Sequence, residues 1–117
     1  MRPLEIRRGL LDLVMQIFKP GSGGKKLMQL VDEGLERLSE SVSIPARSRL
    51  RDSVKREMDE LAKGALKDYL YFNEAESVYK PTDKFKQHPK TMERIALILR
   101  DWAGIGPQKT LEPWINS

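Results

Sequence analysis

The chain has 117 residues, no cysteine, 39% apolar and 32% charged side chains, and a formal charge of +4. That suits one globular domain with a modest core. It excludes a disulfide framework, a zinc–cysteine site and a thiol nucleophile, and no stretch approaches the roughly 20 apolar residues of a membrane span.

The charge is unevenly spread. Residues 1–56 carry 12 cations against 7 anions, residues 57–79 carry 2 against 6, and residues 80–117 carry 7 against 4. Two basic blocks flank an acidic one, a pattern that binds an external anion or neutralises itself within the fold or between subunits. Near the N-terminus Glu5, Arg7, Arg8 and Asp12 interrupt the apolar run, so no signal peptide is read there. The expected compartment is cytoplasmic or otherwise intracellular.

In chain order, a first helix is expected from about Pro3 to Phe18. Ile6, Leu10, Leu13, Val14 and Ile17 make one apolar face and Leu4, Leu11, Met15 and Phe18 a second, so it seeks burial on two sides. "GSGG" at 21–24 follows and reads as a flexible hinge. "PGSGGKK" is not a phosphate-binding loop: Lys19 stands at the first glycine position, Lys26 replaces Ser/Thr, and a helix precedes it. An apolar helix on such a tether packs on its own domain or swaps onto a neighbour. Leu10, Leu11, Val14, Ile17 and Phe18 are therefore candidate interface residues. The tether equally fits an engineered junction joining a helical peptide, residues 1–19, to residues 25–117.

A second helix is expected over about 25–42, with Leu27, Leu30, Val31, Leu35, Leu38 and Val42 inward. Ser43 is a good N-cap and Pro45 suits a first turn. From there Leu50, Val54, Met58, Leu61, Ala65, Tyr69 and Phe72 recur every three or four residues, which predicts one long central helix over about 45–75. Pairs four apart, Asp52/Arg56, Arg56/Glu60 and Asp59/Lys63, are expected on its wet face.

"KPTDKFKQHPK" at 80–90 reads as a polar loop. A fourth helix runs from about Pro89 to Ala103, stopped by "GIGP" at 104–107. Trp114 in the C-terminal tail is expected to dock on a groove of this or a neighbouring subunit. The expectation is an all-α domain of four helices with no strand. Its parts are an N-terminal arm (1–20), a hinge (21–24), a helical domain (25–106) and a tail (107–117).

Two basic features stand out. Arg47, Arg49 and Arg51 fall in the first turns of the third helix, where the dipole disfavours cations by ~0.3–1 kcal/mol each. Together with Lys55 and Arg56 they call for an anion, either a phosphate or a neighbour's carboxylates. In the loop, Lys80, Lys84, Lys86 and Lys90 surround Phe85, a pattern that combines phosphate contact with base stacking. His88, the single histidine, fits a surface or capping role, and Asp32, Glu33, Glu36 and Glu40 read as a solvated helix face.

No nucleophile–base pair and no metal set can be assembled, so no enzyme, cofactor, metal or small-molecule substrate is implied. The first functional expectation is a non-enzymatic, oligomeric nucleic-acid-associated protein, for example a viral packaging or nucleoprotein component. Its recognition would be mainly electrostatic, because no base-reading module is legible. The alternative is a helical protein–protein adaptor that packs an amphipathic helix in a groove.

Overall fold

The computed structural model describes residues 3–38 and 47–105. In order these form α1 (Pro3–Ile17), β1 (Lys25–Lys26), α2 (Leu27–Leu38), α3 (Arg47–Lys63), β2 (Leu70–Asn73), β3 (Val78–Pro81) and α4 (Pro89–Trp102). The three strands make one antiparallel sheet in the order β1-β3-β2.

The domain is therefore not all-α, and the expected long central helix is two structures. Helix α3 stops at Lys63, just before Gly64, and the Leu66 N–H bonds back to the Leu61 carbonyl at 2.9 Å. That turn breaks the helical phase: Ala65 points to solvent and Leu66 is buried. The chain then runs through aromatic, β-favouring residues (Tyr71, Phe72, Val78, Tyr79) as a hairpin. Tyr71 faces Lys80 and Phe72 faces Tyr79 across it. At its end the Asn73 side-chain oxygen accepts the Glu76 N–H at 3.1 Å, and Ser77 takes a positive φ of 57°.

The expected second helix is shortened at its start for a related reason. Lys25 and Lys26 pair with Tyr79 and Val78 as a short strand, and α2 begins at Leu27. Gly24 makes the approach possible. Its φ is +95°, and a Cβ there would collide with the Tyr79 carbonyl oxygen. The glycine-rich segment makes a bonded turn, since the Ser22 hydroxyl donates to the Ile17 carbonyl at 2.6 Å and the Gly24 N–H to the Ser22 oxygen at 3.2 Å.

Helix α1 lies at the centre of the core. Leu13, Val14 and Ile17 have no exposed surface, and Leu10 and Phe18 have almost none. They pack with Leu30 and Val31 of α2, with Leu50, Val54, Met58 and Leu61 of α3, and with Ile95 and Leu99 of α4. Each such side chain contributes about 1.5–3 kcal/mol by leaving water. Gly9 lets α1 and α2 approach closely: a Cβ there would meet the Leu38 side chain of α2 at 3.3 Å. Helix α4 is capped by His88, whose Nδ1 accepts the Lys90 N–H at 3.1 Å, with Pro89 in the first turn. Among the described residues no helix is long and apolar enough to cross a membrane.

Candidate nucleic-acid interface

Helix α3 has a sharply divided surface. Leu50, Val54, Glu57, Met58 and Leu61 are buried. Ser48, Arg49, Asp52, Arg56 and Lys63 are exposed, and at 3.6 residues per turn they lie opposite that buried side.

The buried Glu57 fixes how α3 is turned. Its carboxylate, 4% exposed, accepts from Arg7 Nε of α1 at 2.6 Å. Arg7 also donates to the Trp102 carbonyl at 3.0 Å and to Glu60 at 3.2 Å, and lies 5.5 Å over the Trp102 ring. One guanidinium thus joins α1, α3 and α4, and sends the opposite face of α3 to solvent.

A second cluster ties α3 to the hairpin. The Tyr79 hydroxyl donates to Asp59 at 2.7 Å, and Lys55 pairs with the other Asp59 oxygen. The Lys55 ammonium sits 4.3 Å over the Phe72 ring. Burial, then the Asp59 hydrogen bond and its charge, push the Tyr79 phenol well above its ordinary range. Beside this cluster runs a groove of about 190 Å³ between α3 and the hairpin, flanked by Lys63, Tyr71 and Glu74.

The cations expected to meet an anion divide into three groups. Arg47 has found one within the chain: its guanidinium forks onto Asp32 of α2, with three contacts of 2.9–3.1 Å. Lys55 is committed to Asp59. Arg49 has no ion pair among the described residues, Arg51 makes one marginal contact of 3.5 Å with its exposed neighbour Asp52, and Arg56 stands 3.7 Å from Glu57, which Arg7 already satisfies. Of the pairs expected four apart on this helix, none forms; Lys55–Asp59 and Arg7–Glu60 form instead.

The lysine loop does not join this group. Phe85 packs on Phe18 at 5.0 Å and on Tyr69 at 6.5 Å, so its half-buried ring is used inside the fold. Lys80 pairs with Glu76 at 3.2 Å and Lys84 lies 3.7 Å from Asp68. Lys86 and Lys90 are exposed. The loop is anchored beside Tyr69, in the chain that follows the C-terminal end of α3, whereas Arg49 and Arg51 occupy the first turns of that helix, about 20 Å of axial rise before its end.

The expected interface residues Leu10, Val14, Ile17 and Phe18 are buried in this chain's own core, and Leu11 is half-buried. Trp114 lies outside the described residues. From the sequence Asp52 was expected only as the ion-pair partner of Arg56, and Ser48, the residue before Arg49, was not singled out. Their signal is their helical phase, opposite Leu50, Val54 and Met58.

Comparison with protein-family models, with curated proteins and with solved structures gives no match to this chain.

Proposed function

We propose that this chain is a non-enzymatic DNA-binding protein and that α3 enters the major groove. The observation that carries this reading is the outward face of α3. It holds Arg49 and Arg56, with Arg51 at its edge, and all three have little intramolecular neutralisation, on a helix that follows and packs against α2 and is followed by a hairpin. A helix lying in the major groove sets such a face against base edges and flanking phosphates. B-form DNA admits a helix in its major groove, whereas the deep, narrow groove of A-form RNA does not. The expectation that α1 ties subunits together is not carried over, because its apolar face is used inside the fold.

A second reading has one observation in its favour. The hairpin tip carries Glu74 and Glu76, both exposed, which phosphates would repel. A protein adaptor docking the arginines on an acidic partner meets no such conflict.

Anisotropy of a labelled random-sequence duplex over a salt series separates the two. DNA binding gives log affinity that falls linearly with log salt, and Arg49→Ala/Arg51→Ala/Arg56→Ala makes the slope shallower. No binding at low salt rejects the DNA reading and leaves the adaptor.

A further inference from the structure

An acid in the middle of a DNA-facing surface calls for an explanation, because phosphates repel it. Asp52 is 79% exposed at its side chain, and Arg51 at 3.5 Å is its one ion pair among the described residues. It does not pair with Arg56, four residues on, whose Nε instead lies 3.7 Å from Glu57. Arg49, Asp52 and Arg56 stand at i, i+3 and i+7, on one stripe of α3 directed away from the core. The stripe presents a donor fork, an acceptor-only carboxylate and a second donor fork.

In the major groove that order has a counterpart. Guanine offers two acceptors, N7 and O6, to an arginine fork, and cytosine offers its N4 amino group to a carboxylate. From Arg49 to Arg56 the helix rises about 10 Å, which matches about three base pairs at 3.4 Å each.

Resting on the DNA-binding reading above, we infer that Arg49, Asp52 and Arg56 read sequence: the two arginines take guanines, Asp52 takes a cytosine, and the preferred site contains a short run of G·C pairs. Arg51, to the side of the stripe, contacts the backbone. Asp52 is then a specificity residue that lowers affinity for DNA in general while raising it for the right sequence.

The test is selection from a pool of duplexes randomised at their centre, using the intact chain, followed by binding of the selected duplex and of random duplex. The expected wild-type result is a G·C-containing core, with a cytosine whose replacement weakens binding about five- to a hundredfold. Asp52→Ala should bind random duplex more tightly than wild type, since an anion is gone, yet lose the preference for that cytosine. Asp52→Asn should shift the position toward adenine, the base whose N6 and N7 an amide matches. A merely structural Asp52 would produce neither change. If wild type binds duplexes in a salt-dependent way without G·C enrichment, or if Asp52→Ala keeps the cytosine preference, the inference falls and the DNA-binding reading stands. If no duplex binds at all, both fall.

Discussion

Removing Arg7 should be the most damaging single change among the polar contacts of this fold. Its guanidinium meets Glu57 at 2.6 Å, and that carboxylate is 4% exposed. Taking one partner from a buried pair leaves an uncompensated charge and costs about 3–5 kcal/mol. Arg56, with Nε 3.7 Å from the other Glu57 oxygen but 70% exposed, recovers part of this. Loss of the hydrogen bond to the Trp102 carbonyl and of the contact over its ring adds back about 1 kcal/mol. The net expectation for Arg7→Ala is about 3 kcal/mol. Natural domains hold only about 5–15 kcal/mol, so a large fraction of the stability is at stake. In urea, with a slope near 1.5 kcal/mol per molar, the midpoint should fall by about 2 M, read by far-UV circular dichroism. The pair as a whole is a different matter. Arg7→Met/Glu57→Leu replaces both charges with packed carbon and should lie within about 1 kcal/mol of wild type. A loss under about 1 kcal/mol for Arg7→Ala, or a double variant as unstable as the single one, would refute the assignment of Arg7 as the group that fixes the rotation of α3.

Two further changes test the junction of α3, hairpin and glycine turn. An unfolded tyrosine ionises near pH 10, whereas Tyr79 in the fold stays protonated above that. Its contribution is therefore complete below about pH 10 and declines above it, by up to ~1.4 kcal/mol per pH unit. Tyr79→Phe should cost about 1–2 kcal/mol at neutral pH through the lost Asp59 bond and flatten the alkaline limb in urea titrations; an unchanged limb would mean the phenol is not protected. Gly24→Ala should cost about 2 kcal/mol or more, because its Cβ meets backbone at a positive φ. Gly23→Ala, also at positive φ but with open space around it, should cost about 1 kcal/mol. Equal thermal shifts for the two alanines would contradict the close pairing of β1 with β3.

The helices were legible because their apolar spacing is strong and their stops are chemical: His88-Pro89 opens α4, and Gly104, at φ +70°, closes it. The hairpin was hidden by an accident of phase. Tyr69 and Phe72 continue the three-and-four spacing of Leu61 and Ala65, so aromatic residues that favour strands were absorbed into a helix. What separates the readings is which of Ala65 and Leu66 is buried, and that depends on what packs above them. Strand β1 has no local signal; two lysines pair only because β3 lies alongside. In the candidate site the arginine stripe was visible, but not which arginine was already satisfied. Asp32, which takes Arg47, is fifteen residues away on another helix. Phe85 looked free in the sequence because its partners, Phe18 and Tyr69, come from two other segments.

The most direct test of the central claim is a map of backbone amide shifts on adding short duplex DNA at low salt. The account predicts perturbations concentrated on Arg49–Arg56 of α3, with little change at the acidic hairpin tip around Glu74 and Glu76 or in the loop about Phe85. Perturbations confined to the lysine loop, or none anywhere on α3, would contradict it.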